Sequence, residues 1–310
     1  MAVKTYFSVA GRSKQMRKGS KVSVDGYSRK LHKLYASVNG TSKLIFDDGD
    51  MQPYDTIVYY EDDPAAPYKT AVVASDTLEV RVSWYGGTPI IQQVTVDGNY
   101  LPARWLRGVR IGSRVTNLDN FLSNLRANEV PGVSMPVYIP DNVTTVGAGL
   151  CFESSSFNQP VFVGKGVKNI VHGFLRNCTN FNQPVVFSEG IETMGALFFL
   201  NCRVFNQDLK IPQTITNIGG DSGGSGMTYY GAFLRNCYNY TSTIDFGDLP
   251  PTIFKPEIRS DCFVMDRNNV PAYTTGITIK VSPSQLNYWK IAFPDLAGSA
   301  YYRHINWITE

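Results

Sequence analysis

The sequence predicts a mainly β protein built around a stack of repeats, and three observations predict it. A Phe-Asn-Gln motif begins at Phe157, Phe181 and Phe205, with a constant spacing of 24 residues. Cysteine keeps the same spacing at Cys178 and Cys202, each three residues before a motif phenylalanine. Apolar residues make up 43% of the chain and charged residues only 18%, which is typical of β-rich globular proteins. A period of this length indicates a solenoid, in which each repeat is one coil stacked on the next.

The N-terminal region contains a shorter repeat. Ala10-Gly11, Asp25-Gly26 and Asn39-Gly40 each precede a basic, strand-like run. Asp-Gly and Asn-Gly favour tight hairpin turns, because these residues tolerate positive φ angles. We therefore predict two or three short antiparallel hairpins in an arm that spans residues 1–60.

The arm is basic, although the net charge of the chain is only +3. Basic residues dominate up to Phe46, and the segment from Asp47 to Asp63 is acidic. This asymmetry predicts docking on an acidic protein surface, with pairing between the two segments or a merely solvated basic face as alternatives. Nucleic acid is not an expected partner, because no nucleic-acid-binding module is recognisable. The candidate anchoring residues are Arg12, Lys14, Arg17, Lys18, Arg29, Lys30 and Lys33.

The hairpin units also resemble a known class of repeat. The unit from Val24 to Lys30 and its two neighbours are similar to N-terminal or linker repeats in structural proteins of bacteriophages that infect Gram-positive hosts. The first unit departs from the pattern, because Gly11 follows alanine and not Asp or Asn. The resemblance implies that the arm anchors the chain to other virion proteins.

Residues 61–109 predict a small β module. Apolar and polar residues alternate from Leu78 to Trp84, and Gly86-Gly87 and Asp97-Gly98 mark two turns. Trp84 and Trp105 are expected in the core of this module, because aromatic residues dominate small β cores.

Residues 110–281 predict the repeat stack. Equivalent residues of successive coils should lie about 4.8 Å apart, so each repeated residue type should form a column. Three columns are expected: an aromatic column (Phe157, Phe181, Phe205 and Tyr240), a thiol column (Cys178, Cys202 and Cys237) and an amide column (Asn158, Asn182 and Asn206). We interpret all three as core packing and not as binding or catalytic sites.

The repeats resemble BspA-like leucine-rich repeats. The pattern I-P-x-x-V-x-x-I-G is present with small changes from Ile139 to Gly147 and from Ile211 to Gly219, and a cysteine follows in most coils. Phe-Asn-Gln stands where the family has leucine. The resemblance implies a curved leucine-rich-repeat solenoid that contacts proteins or glycans without catalysis.

One repeat is longer than the others. The step from Cys202 to Cys237 exceeds the 24-residue period, and the glycine-rich segment 219–226 is the predicted insertion. Insertions in stacked repeats fall on one face, which is often the binding face. Asp221, Tyr229 and Tyr230 are therefore candidate binding residues, with an inert surface loop as the alternative.

Residues 282–310 predict a C-terminal cap of one helix and one strand. Ser282 is the expected N-cap, with Pro283 in the first helical position, and Pro294 should end the helix. A strand is expected between Tyr301 and Ile308. Repeat stacks need such a seal over the last open coil.

No enzyme motif is recognisable in the sequence. His32, His172 and His304 lie far apart, and there is no Cys-x-x-Cys pair. We therefore expect no cofactor, no metal and no catalysis. Neither a secretory signal nor a membrane-spanning segment is recognisable, so we expect cytoplasmic synthesis and no membrane insertion.

These features favour a structural and adhesive component of a bacteriophage particle, in the tail or baseplate. Its expected partners are other virion proteins and a host-surface glycan or protein, within an oligomeric assembly. One alternative is a bacterial BspA-like surface adhesin. Another is a tail-associated carbohydrate-active enzyme, with Glu79 and Asp97 as the carboxylates to test.

Overall fold

The computed structural model describes the six strands within residues 6–47, and residues 55–126, 132–220, 232–256, 259, 262–263, 276–294 and 304–309. The chain divides into two compact units, Met1–Tyr54 and Asp55–Glu310. The first unit ends at Tyr54 and not at residue 60, because residues 56–60 form a strand that pairs within the second unit. The fold is mainly β, as the sequence predicts.

Three antiparallel hairpins form the described part of the first unit. Each hairpin has a two-residue connection, because the last pairs are Val9 with Arg12, Val24 with Tyr27, and Val38 with Thr41. This is the commonest hairpin loop length, and it matches the predicted turns. The strands are β1 (Tyr6–Val9), β2 (Arg12–Gln15), β3 (Lys21–Val24), β4 (Tyr27–Lys30), β5 (Lys33–Val38) and β6 (Thr41–Asp47).

The second unit begins with two three-stranded antiparallel sheets. Its first strands are β7 (Thr56–Tyr60), β8 (Lys69–Val73), β9 (Thr77–Leu78), β10 (Val82–Tyr85), β11 (Thr88–Val96) and β12 (Asn99–Pro102), then a 3₁₀ turn (Ala103–Trp105) and β13 (Leu106–Arg110). One sheet has the order β13-β7-β8 and the other β10-β11-β12. The turns at Gly86-Gly87 and Asp97-Gly98 have positive φ at both residues, which suits the twist of tight hairpins.

The repeats stack through parallel strands. A six-stranded sheet has the order β22-β20-β18-β16-β14-β9, and a three-stranded sheet has the order β15-β17-β19. Thr145, Asn169, Thr193 and Asn217 are successive partners in the first sheet, so the 24-residue period of the sequence is the register of the sheet. The strands are β14 (Asn117–Leu118), β15 (Val137–Ile139), β16 (Thr145–Val146), β17 (Val161–Val163), β18 (Asn169–Ile170), β19 (Val185–Phe187), β20 (Thr193–Gly195), β21 (Leu209–Lys210) and β22 (Asn217–Gly220).

Each coil turns a corner through a residue in the left-handed region. Side chains strain that conformation, and leucine and phenylalanine adopt it rarely. The backbone N–H of each corner residue donates to a carbonyl of the preceding coil, for example Leu175 to Leu150 at 2.8 Å and Phe199 to Phe174 at 3.0 Å. These bonds between coils hold the strained corners. The corner residues are Leu122, Cys151, Leu175, Phe199, Leu234 and Phe263.

The predicted aromatic column is confirmed. Phe157, Phe181, Phe205 and Tyr240 are buried and stack face to face, with ring centroids 5.6 to 5.8 Å apart. Each ring comes from the next coil of the stack, because the period of the sequence places equivalent side chains above one another.

The predicted amide ladder also forms, through side-chain to backbone bonds. The backbone N–H of Asn182 donates to Asn158 Oδ1 at 2.9 Å, and that of Asn206 donates to Asn182 Oδ1 at 2.9 Å. A second ladder, which the sequence interpretation missed, joins the side chains of Asn177, Asn201 and Asn236 at 2.7 and 2.8 Å.

The C-terminal part consists of β23 (Thr243–Gly247), a 3₁₀ turn (Pro251–Ile253), β24 (Ile277–Val281), α1 (Leu286–Ala292) and β25 (Ile305–Ile308). A parallel sheet has the order β21-β23-β24-β25. Trp289 is fully buried, and its Nε1 donates to the Leu249 carbonyl at 2.8 Å. The predicted helix and strand are therefore present.

Ser282 is not the N-cap of this helix, contrary to prediction. The backbone N–H of Gln285 donates to the Ser282 carbonyl at 3.0 Å, so a turn precedes the helix. The Ser282 hydroxyl lies 2.9 Å from that of Ser284 and caps no helical N–H. Helix α1 therefore begins only at Leu286.

Candidate binding surface

The thiol column belongs to the core, where the thiols donate hydrogen bonds that the spacing of the cysteines did not reveal. Each thiol donates to the carbonyl of a corner residue in the preceding coil. Burial raises the pKa of the Cys178 thiol to about 12 and that of the Cys202 thiol well above its ordinary value, so both thiols keep their protons. The pairs are Cys178 with Cys151 at 2.6 Å, Cys202 with Leu175 at 2.8 Å, and Cys237 with Phe199 at 3.0 Å.

The candidate anchoring residues lie on the hairpin strands where the structure describes them. Arg12 and Lys14 are on β2, Arg29 and Lys30 are on β4, and Lys33 begins β5. Their backbone partners include Val9 for Arg12 and Asp47 for Lys33. Arg17 and Lys18 lie outside the described residues.

The candidate binding loop also lies outside the described residues. Asp221, Tyr229 and Tyr230 fall within the range 221–231. The described chain reaches Gly220 at the end of β22 and resumes at Ala232. Binding by this loop remains a prediction.

The two carboxylates of the enzyme alternative occupy different local settings. Glu79 Oε1 lies 2.9 Å from Arg81 Nε in an ion pair. Asp97 stands in the left-handed turn between β11 and β12, with a φ of 51°.

Trp84 is an exposed residue and not a core residue, which corrects the prediction. Its side chain is 61% exposed, whereas Val82, two residues earlier on the same face of β10, is buried. Trp84 pairs with Pro89 next to the Gly86-Gly87 turn, where the strand extends past the core. Trp105 is half-buried and stacks on Tyr60, with ring centroids 6.5 Å apart.

Two tyrosines on the other face of this sheet are also exposed. Tyr85 is 67% exposed and Tyr100 is 41% exposed. Their ring centroids lie 5.4 Å apart, and the planes cross at 66°. The sequence interpretation missed both residues, although the position of Tyr85 directly before a Gly-Gly turn indicated a strand end.

A second exposed row runs across the three-stranded parallel sheet. Tyr138, Phe162 and Val186 are register partners on β15, β17 and β19. The rings of Tyr138 and Phe162 stack with centroids 4.8 Å apart, and Tyr138 and Val186 are exposed. This row carries one hydroxyl group, on Tyr138, whereas the tyrosine pair on the β10–β12 sheet carries two.

Within the described part of the chain, no three His, Cys, Asp or Glu side chains gather in a way that fits a metal ion. In the same residues, no helix has both the length and the apolar character needed to cross a bilayer. Comparison with family models, with curated proteins and with solved structures gave no match.

Proposed function

We propose that this chain is a non-enzymatic structural and adhesive component of a bacteriophage particle, in the tail or baseplate. In this proposal the repeats form a BspA-like leucine-rich-repeat solenoid, which contacts the host surface or neighbouring subunits. The basic hairpins attach the chain to other virion proteins. The chain acts as one subunit of an oligomeric assembly.

One observation carries the scaffold part of this proposal: the repeated side chains bond one coil to the next. The phenylalanines stack on each other, the asparagines accept backbone N–H groups, and the thiols donate to corner carbonyls. Residues used in this way stiffen a rod of repeats. The side chains left for contact are those on its outward faces.

The virion part of the proposal is supported by the N-terminal hairpins. Their turns and basic residues resemble repeats of phage structural proteins, and an isolated hairpin is only marginally stable in water. Attachment to a partner surface would stabilise them. The alternating strands place Arg29 and Lys30 beside Val22 and Lys21 of β3.

The first test is a mass-spectrometric inventory of purified particles from the source culture, beside a membrane and cell-wall fraction. We expect this chain in a fixed ratio to the particle proteins. Its presence in the wall fraction alone would contradict the virion proposal and favour a cellular surface adhesin.

A second test reverses charge in the arm of the full chain. Arg29→Glu with Lys30→Glu should lower the occupancy of the chain in assembled particles, because the proposed partner surface is acidic. The matched control is Lys165→Glu with Lys290→Glu, two exposed positions in the second unit. Equal occupancy of both variants would contradict attachment through the arm.

A further inference from the structure

The β10–β12 sheet has one face in the core and one face in solvent. Val82, Ile91 and Leu101 are register partners, and all three are buried, so they define the inner face. Their chain neighbours point the other way, because successive side chains of a strand alternate between faces. We call this other side the outer tyrosine face. It comprises Arg81, Ser83, Tyr85, Thr88, Ile90, Gln92, Tyr100 and Pro102.

The two tyrosines of this face are exposed, although an apolar residue of the same face is buried. Ile90 lies between Ser83 and Pro102 in the register and is only 7% exposed. Tyr85 and Tyr100, by contrast, are 67% and 41% exposed. In a chain whose fully buried side chains include ten phenylalanines, such exposure of two large rings is informative.

The chemistry of the outer tyrosine face is aromatic, hydroxylic and neutral. Four of its residues bear hydroxyl groups (Ser83, Tyr85, Thr88 and Tyr100). Its one charged residue, Arg81, donates to Gln92 Oε1 and is paired with Glu79 at 2.9 Å, so its charge is compensated. Tyrosine has few rotatable bonds and combines an apolar ring with a polar tip, so it binds at low entropic cost. The 66° angle between the rings presents two surfaces to one ligand.

We propose that the outer tyrosine face binds a neutral glycan, with a sugar ring stacked on Tyr85 and Tyr100. The C–H groups of a pyranose lie against an aromatic ring, and its hydroxyl groups exchange hydrogen bonds with Thr88 and Ser83. An anionic glycan would have to compete with Glu79 for Arg81, the one cation of this face. The inference rests on the proposed adhesive function and names its ligand class and its site.

The position of Tyr85 at a tight hairpin turn favours a fixed binding surface. Tyr85 lies at the end of β10 beside the Gly86-Gly87 turn, and both glycines have positive φ angles, which fix the hairpin. A ring held on a short, fixed hairpin loses little freedom on binding. The face therefore offers a preorganised surface.

The test uses the full chain on an array of neutral oligosaccharides of hexoses and N-acetylhexosamines. We expect saturable binding of at least one oligosaccharide, and about tenfold or more weaker binding for Tyr85→Ala and for Tyr100→Ala. Tyr85→Phe keeps the ring and should retain most of the affinity. Tyr288→Ala is the matched control, because Tyr288 is similarly exposed on α1.

A further variant separates binding from folding. Thr88 is exposed and pairs with Tyr85, so Thr88→Glu places a bulky charge on the face without removing a packed group. It should weaken glycan binding about tenfold while leaving the unfolding midpoint unchanged. Absence of binding to any neutral glycan, or unchanged binding in Thr88→Glu and Tyr100→Ala, would overturn the proposal.

The glycan-binding test and the particle inventory can fail independently of each other. A chain found in particles that binds host protein and no glycan would leave the virion proposal standing and overturn this one. Glycan binding by a chain found only in the cell wall would support the glycan proposal and contradict the virion proposal.

Discussion

Cys202 Sγ donates a hydrogen bond to the backbone carbonyl of Leu175, one coil earlier, at 2.8 Å. Leu175 is a corner residue with a φ of 55°. Ser154 makes the equivalent bond to Leu122, with its hydroxyl 2.6 Å from the carbonyl. The column therefore requires a small donor, and sulfur or oxygen can supply it.

Substitution of Cys202 should separate hydrogen bonding from packing. Cys202→Ala leaves the buried carbonyl of Leu175 without this donor, and we expect a loss of about 1–3 kcal/mol in the free energy of unfolding. Cys202→Ser retains a donor and should lose less. Urea denaturation measures both values. Equal losses for alanine and serine would mean that the bond contributes little.

The buried thiols should make stability fall at high pH. The pKa of Cys178 rises from an ordinary 9.0 to about 12 in the folded chain, because burial disfavours the thiolate. Its contribution is fully present below pH 9 and is lost as the pH rises toward 12, because the unfolded chain releases the proton first. The slope of unfolding free energy against pH should reach about 1.4 kcal/mol per unit for each such thiol.

Urea denaturation across this alkaline window tests the effect. Cys178→Ser removes one titrating group and should give a shallower slope than the parent chain. Lysine and tyrosine residues that titrate in the same window are common to both chains and cancel in the comparison. An identical slope would show that Cys178 does not titrate on unfolding.

The amide ladder predicts that removing the acceptor oxygen at position 182 costs more stability than keeping one there. Asn182 Oδ1 accepts from the Asn206 N–H at 2.9 Å and from Gln207 Nε2 at 3.0 Å. Asn182→Ala should cost about 1 kcal/mol or more, because both donors lose this partner. Asn182→Asp keeps an acceptor oxygen and should cost less. Thermal unfolding measures both costs, and equal melting temperatures for the two variants would contradict the ladder.

The second ladder predicts a stabilising substitution. Glu153 has a φ of 53° and occupies the place that Asn177 and Asn201 take in later coils. Asparagine tolerates this conformation better than glutamate, and at 153 it would offer Oδ1 to the side chain of Asn177. We expect Glu153→Asn to gain about 0.5 kcal/mol.

Glu153→Ala is the control for that prediction. Both substitutions remove the Arg126–Glu153 ion pair, which is partly exposed to solvent and contributes little. Alanine has no amide and adopts the left-handed region less readily, so it should not stabilise. Chemical denaturation of the three chains decides the matter, and a gain for alanine equal to that for asparagine would refute the ladder explanation.

Much of the fold is predictable because the repeats keep one period. A constant step of 24 residues puts Phe157, Phe181 and Phe205 above one another in any stacked arrangement, so the aromatic column needs no further information. The hairpin turns are predictable for a similar reason, since Asp-Gly and Asn-Gly act locally. The candidate site was less predictable. Alternation along β10 assigns relative faces, but it does not tell where along the strand the core ends.

By itself, then, the sequence determined the β class, the period and the columns, because these follow from local turn preference and repetition. Only the tertiary structure decided that Trp84 and Tyr85 are exposed, since exposure depends on which other segments cover the end of β10. Only the tertiary structure decided that the thiols are donors, since the acceptor carbonyls come from left-handed corners of a neighbouring coil. Burial and hydrogen bonding between coils depend on contacts between residues distant in the chain, and a local pattern does not contain them.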